Sequence, residues 1–244
     1  MLKVEWSGLI PTEALRKSYF DDLVDYWLIE PIENAEYKSL MREKTGWKLL
    51  DNGFHEYKRP VSSALLRKWV DEVNANAIVA PDMLGNWDFN YQCAISCRSD
   101  VMPYNVEVFG VLGGGLNHEW QDQADTFSLE PPAINGICLP FKLNRFPILT
   151  HSHVHLFGFK HPEDYWSYRQ MGYKRLTIDT VEPISAALRG ILYEAEGGIV
   201  TYPRVPDYMN WEFTLDTVTI ARSNIMYLKE HLNRRPPWLS TDPA

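Results

Sequence analysis

Short apolar runs alternate with amphipathic stretches along most of the chain of 244 residues. Eight of these runs predict β-strands, and several are almost continuously apolar, as is typical of parallel strands covered on both faces. The predicted strands cover residues 3–8, 25–31, 48–53, 77–82, 106–114, 136–141, 153–159 and 175–180.

Three of the intervening segments carry clear helix patterns. Residues 62–76 place their apolar side chains on one face, after a serine that can serve as the N-cap. Residues 161–173 have a proline at an early position and a glycine near the end, and residues 215–233 predict a long closing helix. Eight strands that alternate with helices predict an α/β protein, a single-domain (β/α)8 TIM barrel over residues 1–244.

Three of the predicted strands end on an aspartate: Asp51, Asp82 and Asp179. In a (β/α)8 barrel the active site lies at the carboxyl ends of the strands, so these carboxylates are expected at one rim. A single aspartate in this position is often only a turn former or a helix cap. Several that face one cavity can instead act as nucleophile, as general acid and base, and as acceptor for a substrate N–H group. Glycosyl transfer uses such a set, and a Mg²⁺ or Mn²⁺ site is the competing chemistry.

Three further features are candidates for binding. The strand at 106–114 runs into Gly113, Gly114 and Gly115, where a ligand could approach the backbone closely. Alternating histidines and alternating aromatic residues follow two other strands, and each set has a structural and a functional interpretation. The histidines either hold a metal or only line the barrel, and the aromatic residues either stack on a base or pack in the core. The two sets are His151, His153 and His155, and Trp87, Phe89 and Tyr91.

Composition narrows the class of protein. The net charge of −8 argues against broad, non-specific binding of nucleic acid, although it leaves room for a local basic patch such as the tail at 231–238. The three cysteines contain no CxxC pair, so neither a disulfide framework nor a cysteine-based zinc site is expected. The sequence has no signal segment and no apolar run long enough to span a membrane, so we expect a cytoplasmic protein. We also expect neither a metal nor another cofactor.

Six segments together resemble the tRNA-guanine transglycosylase superfamily. The segment LLDNGFHE (49–56) is similar to the family's DSGGFQ motif, and VFGVLGGG (108–115) is similar to FGIVQGG. The stretch VHLFGFKHPEDYW (154–166) resembles MGVGxPxDL, and LTIDTVEPISAALRG (176–190) resembles FDCVxPTRxARxG. Two more, IVAPDMLGN (78–86) and INGICLP (134–140), fall where the family has base-binding strand ends. The six occur in the family's order over about three-fifths of the chain.

The resemblance implies roles for individual residues. Asp179 would be the nucleophile that forms a covalent glycosyl intermediate, and Asp51 would be the acid and base. The residues expected to hold the base are Asp82, Gly113, Gly114, Gly136 and Phe54. The expected partners are a nucleic acid and a free 7-deazaguanine base, with a homodimer or a partner subunit as further expectations and no membrane.

Departures from the family pattern point to one branch of it. The family's CxCxxC zinc site is absent, the chain is shorter, and Gly113 stands where the family has a base-reading glutamine. These differences favour the short branch, found in bacteria and phages, that installs 7-deazaguanines such as preQ0 in DNA rather than tRNA. Three alternatives stay open: a barrel that binds a deazapurine or nucleic acid without chemistry, an N-glycoside hydrolase, and a metal-dependent hydrolase.

Overall fold

The fold is that of a computed structural model. It describes residues 2–83, 85–101, 104–113, 119–129, 134–140, 151–158, 166–169, 173–201 and 204–234. Gly114, most of the predicted helix at 161–173 and the end of the basic tail lie outside these residues.

Eight parallel strands form one sheet, and each overlaps one of the predicted strands. Neighbouring strands pair in the order β1-β8-β7-β6-β5-β4-β3-β2. With helices between most of the successive strands, this is a nearly closed barrel, and the predicted (β/α)8 fold is confirmed. The strands are β1 (Val4–Ser7), β2 (Trp27–Ile29), β3 (Lys48–Leu50), β4 (Ala77–Val79), β5 (Glu107–Val111), β6 (Gly136–Pro140), β7 (His153–Phe157) and β8 (Arg175–Asp179).

Side chains help to join β1 to β2. The Asp25 N–H donates to the carbonyl of Trp6 over 2.9 Å, and the Trp6 N–H donates to Asp25 Oδ2 over 3.0 Å. Further along β2, the Leu28 N–H donates to Ser7 Oγ over 3.1 Å. These bonds satisfy backbone groups that would otherwise stand at the edge of a sheet.

The interior of the barrel has an apolar side and a polar side. Strands β2 to β6 contribute a buried apolar cluster that includes Leu49, Val79 and Phe109. Strands β7 and β8 place His155 and Thr177 inside, both fully buried. Residues two apart on a strand point to the same face of the sheet, so alternate side chains of each strand point into the barrel.

The helices surround the sheet and bury their apolar faces against it. The predicted helix at 62–76 is α4, and Ser62 Oγ accepts from the Leu65 N–H at its start. The predicted closing helix is α9, with Thr214 as its N-cap. Among the residues that the structure describes, no helix combines the length and the apolar character that a membrane span needs. The helices are α1 (Thr12–Arg16), α2 (Ala35–Glu43), α3 (Phe54–Tyr57), α4 (Ser63–Val73), α5 (Trp87–Val101), α6 (Glu119–Leu129), α7 (Trp166–Arg169), α8 (Glu182–Ala187) and α9 (Leu215–Asn233), with a 3₁₀ turn at Tyr208–Asn210.

The aromatic residues that follow Asp82 lie on helix α5. The rings of Trp87 and Tyr91 pack against Phe127 of α6, with centroids 4.9 and 6.0 Å from it. Both side chains are packed against the main hydrophobic core. Their positions therefore support core packing rather than base stacking.

Candidate functional site

A cleft of about 370 Å³ opens at the carboxyl ends of the strands. Its volume is in the range of pockets that hold small ligands. A larger cavity of about 530 Å³ lies near the amino end of β2, but its Lys44 and Asp21 already bind each other over 2.6 Å. The smaller cleft is the better candidate because it lies where barrels carry their chemistry. It is lined by Glu30, Asp51, Asn52, Phe54, Asp82, Phe157, Gly158, Asp179, Thr180, Val181, Glu182 and Arg204.

Asp51 follows β3 directly and begins a tight turn. Its N–H continues the ladder by donating to the carbonyl of Ile29 over 2.8 Å, and its Oδ2 accepts from the Gly53 N–H over 3.2 Å. Gly53 has a φ of 69°, a conformation that glycine adopts without strain. The turn leads into α3, whose first residue, Phe54, lines the cleft.

Asp82 is held by the neighbouring turn. The buried Asn52 donates from Nδ2 to Asp82 Oδ1 over 2.7 Å and to the carbonyl of Ala80 over 3.1 Å. Burial raises the pKa of Asp82 above its usual value, although the hydrogen bond from Asn52 opposes this shift. A carboxylate in such a place is ready to accept a hydrogen bond that replaces its lost water.

Asp179 is the last residue of β8, and its side chain is 21% exposed. Its Oδ1 accepts from the Gly158 N–H over 2.9 Å and lies 3.6 Å from Nε2 of the buried His155. Two groups from β7 and the residue that follows it therefore face the same oxygen of the carboxylate.

The three predicted aspartates lie within electrostatic reach of one buried thiol, that of Cys138. Cys138 lies inside the barrel on β6, fully buried. Burial raises its pKa well above the usual range, and the charges of Asp51, Asp179 and Asp82 each raise it further. The three carboxylates thus share one electrostatic environment at the floor of the cleft.

The cleft contains charged residues that the sequence analysis did not select. Among the lining residues that the structure describes, Glu30 and Glu182 bring the acidic side chains to five, against one guanidinium, that of Arg204. Glu30 could have been found from the sequence, because it follows the apolar end of β2 as Asp51 follows β3. Glu182 and Arg204 stand outside the strands, in α8 and in a loop, and no strand-end pattern marks them.

Two predicted glycines lie away from the lining of the cleft. Gly136 is the first residue of β6, at the amino end, and a Cβ there would lie 2.3 Å from the ring of Phe109. Gly113 follows β5, and a Cβ there would lie 2.2 Å from Nδ2 of the buried Asn90. Both positions explain the glycines by packing and do not support a role in holding the base. The third, Gly114, lies outside the described residues.

The three histidines do not form one set. His153 and His155 lie on β7 and face the interior, whereas His151 precedes the strand and lies 3.3 Å from Ser128 Oγ. Across the described part of the chain, no three side chains of His, Cys, Asp or Glu are grouped so that they could hold a metal ion.

The two interior histidines should make the fold sensitive to acid. Burial, with the nearby Arg175 charge, lowers the pKa of His153 to about 2 and of His155 to about 3, against about 6.5 in an unfolded chain. Below about pH 6.5 the unfolded chain therefore binds protons at these two histidines, whereas the folded chain does not. Stability that is present above about pH 6.5 is lost as the pH falls, by about 1.4 kcal/mol per pH unit for each imidazole.

Urea unfolding at several values between about pH 7 and pH 5 measures this loss. As the pH falls, we expect the free energy of unfolding of His155→Gln to decrease less steeply than that of the wild type, by about 1.4 kcal/mol per pH unit. Carboxylates titrate in both proteins, so the difference between the slopes isolates the histidine. Equal slopes would show that His155 is protonated in the folded protein.

Comparison with known proteins adds no family to this description. No protein-family model matches the chain, and no curated protein matches it significantly.

Proposed function

We propose that the chain exchanges a base at an N-glycosidic bond, replacing guanine in nucleic acid with a free 7-deazaguanine such as preQ0. The observation that carries the proposal is the gathering of Asp51, Asp82 and Asp179 in one cleft at the carboxyl ends of the strands. The resemblance of the flanking segments to the transglycosylase superfamily supports the same roles. DNA is the favoured polymer because the chain resembles the short branch.

The reaction would run in two displacements. Asp179 attacks the anomeric carbon, the C–N bond to guanine breaks, and the base takes a proton from Asp51. The sugar is then held as an ester of Asp179. The incoming base gives its N–H proton back to Asp51, its nitrogen attacks the same carbon, and Asp179 leaves as a carboxylate. No proton is gained or lost overall.

The charge of the cleft supports a base rather than a phosphate as its occupant. The five acidic side chains of the described lining disfavour a phosphate, and their oxygens accept hydrogen bonds from the N–H edge of a purine-like base. The phosphates of the polymer would remain outside, and the target nucleotide would have to turn out of its stack to enter. Arg204, at the cleft, is a cation that could meet the flanking backbone.

Incorporation of label tests the proposal. The protein is incubated with labelled guanine or labelled preQ0, and with DNA and tRNA offered separately. We expect label in DNA, dependent on the protein. Tight binding of preQ0 without incorporation into either polymer would favour the non-catalytic binding barrel, and release of free base without incorporation would favour the N-glycoside hydrolase.

Asp82→Asn should weaken binding of the base and leave stability unchanged or improved. A carboxyl whose pKa is raised by folding costs stability once it is ionised, and the amide removes that cost. The variant also has an NH₂ group in place of one carboxylate oxygen, which would otherwise accept a hydrogen bond from the N–H edge of the base. The affinity for preQ0 should therefore fall at least ~10-fold. Calorimetry and a thermal melt measure the two effects.

Asn52→Ala is the matched control for this variant. It removes the hydrogen bonds that Asn52 donates to Asp82 Oδ1 and to the carbonyl of Ala80, but keeps the carboxylate of Asp82. We expect it to lower the melting temperature and to reduce affinity less than Asp82→Asn does. An Asp82→Asn protein with wild-type affinity would mean that Asp82 only shapes its turn.

A further inference from the structure

Four side chains of β7 and β8 form a continuous polar chain inside the barrel. His153 Nε2 lies 3.0 Å from Thr177 Oγ1, and His155 Nδ1 lies 3.0 Å from the same oxygen. The other nitrogen of His155, Nε2, lies 3.6 Å from Asp179 Oδ1. His155 and Thr177 stand directly opposite each other in the strand register. The chain therefore connects the barrel interior to the cleft carboxylate.

The carboxylate determines the direction of the hydrogen bonds. An ionised Asp179 can only accept, so the proton of a neutral His155 belongs on Nε2. Its Nδ1 is then an acceptor and takes the hydroxyl proton of Thr177. The Thr177 oxygen in turn accepts from Nε2–H of His153. One arrangement thus makes both hydrogen bonds at Thr177 and turns the Nε2–H of His155 toward the carboxylate of Asp179.

A competing arrangement is less favourable. The Thr177 hydroxyl also lies 3.4 Å from the carbonyl of Val154. If it donated there, His155 would have to donate from Nδ1, and the lone pair on its Nε2 would face the carboxylate of Asp179. In the described part of the chain Nε2 is fully buried and has no partner within hydrogen-bonding distance, so its 3.6 Å contact with Asp179 Oδ1 is electrostatic. That lone pair would therefore be left beside a negative charge without compensation.

We propose that His155, oriented by Thr177 and His153, is a positioning residue that holds Asp179 for attack. The inference rests on the proposed role of Asp179 as nucleophile. Since Gly158 N–H and His155 both face Oδ1, we assign Oδ2 as the atom that attacks the sugar. When the incoming base breaks the C–Oδ2 bond, its electron pair returns to the carboxylate, and the same two donors stabilise the charge.

The groups around His155 keep it neutral at working pH. Tyr26, the residue before β2, faces it with ring centroids 6.3 Å apart, and Cys138 lies opposite it on β6. His153 is on its own strand, and Arg175 and Asp179 lie on β8. Burial and the charge of Arg175 lower the pKa of His155 to about 3. The imidazole therefore acts as a neutral donor and should not titrate between about pH 5 and pH 8.

Nuclear magnetic resonance can test the hydrogen-bond directions in this polar chain without any substrate. In ¹⁵N-labelled protein, two-bond correlations distinguish the tautomers of the seven histidines, and His153→Gln and His155→Gln assign the two of interest. We expect His155 as the neutral Nε2–H form, unchanged from about pH 5 to pH 8. A proton on Nδ1, or titration within that range, would overturn the inference whether or not the protein exchanges bases.

Kinetics supply the second readout. Thr177→Val nearly keeps the shape of the side chain but breaks the chain at its centre, whereas Thr177→Ser keeps the hydroxyl. We expect Val to lower kcat at least ~10-fold with little change in KM, and Ser to restore it to within ~3-fold. His151→Gln, a buried histidine outside the chain, should match the wild type. Melting temperatures identify any loss that comes from unfolding.

The outcomes separate this inference from the proposed function. If the wild type exchanges bases and Thr177→Val does so at the same rate, the inference fails and the function stands. If the wild type exchanges no base, the proposed function fails, and the tautomer of His155 still decides whether the polar chain exists as described.

Discussion

Replacing Asp179 with Asn is expected to lower the rate of base exchange by at least ~1,000-fold. The amide keeps the volume of the side chain and can still accept from the Gly158 N–H, so the fold should persist. It has no carboxylate electron pair with which to form the ester. The rate of label incorporation into DNA, with a thermal melt of both proteins, measures the effect.

Asp207→Asn is the matched control for that substitution. Asp207 is exposed, lies outside the residues that line the cleft and has a φ of 52°, which asparagine also tolerates. The same chemical change should therefore leave exchange at the wild-type rate. If Asp179→Asn exchanged as fast as this control, another residue would be the nucleophile.

Asp51→Asn should lower exchange of guanine by ~100- to 10,000-fold, the usual range for loss of a general acid or base. The defect should depend on the leaving group. 7-Methylguanine leaves as a neutral base and needs no proton, so a DNA that carries it should lose its base at close to the wild-type rate in the Asp51→Asn protein. Asp179→Asn should remain inactive with the same DNA.

This contrast distinguishes proton transfer from nucleophilic attack. Release of 7-methylguanine in a single turnover, before the second displacement that also uses Asp51, is measured by chromatography for the wild type and the two variants. If Asp51→Asn were as slow with 7-methylguanine as with guanine, Asp51 would act on the sugar or on the fold rather than on the departing base.

The barrel could be predicted from the sequence because its determinants are local. Each strand is a short apolar run, and turn residues and helix caps such as Ser62 mark where the next element begins. The rule that parallel strands end at one rim then places Asp51, Asp82 and Asp179 together, without knowledge of any contact. The barrel fold and the common location of the three aspartates both follow from the order of the elements along the chain.

Other parts of the site depend on register and could not be predicted this way. The link between His155 and Thr177 exists because β7 and β8 pair at that position, and no single-strand pattern contains it. The family resemblance assigns Gly136 to binding of the base, whereas Gly136 is the first residue of β6 and lies beside Phe109 at the amino end of the strand. Glu182 and Arg204 reach the cleft from α8 and a loop, where no strand rule applies.

Trapping the covalent intermediate tests the central claim most directly. The protein is mixed with a guanine-containing DNA oligonucleotide, quenched under denaturing conditions and analysed by mass spectrometry of the intact chain and of its peptides. The account predicts an adduct on the peptide that contains Asp179, which is discharged by added preQ0 and absent in Asp179→Asn. Incorporation of preQ0 with an adduct on a different residue, or an adduct that persists in Asp179→Asn, would contradict it.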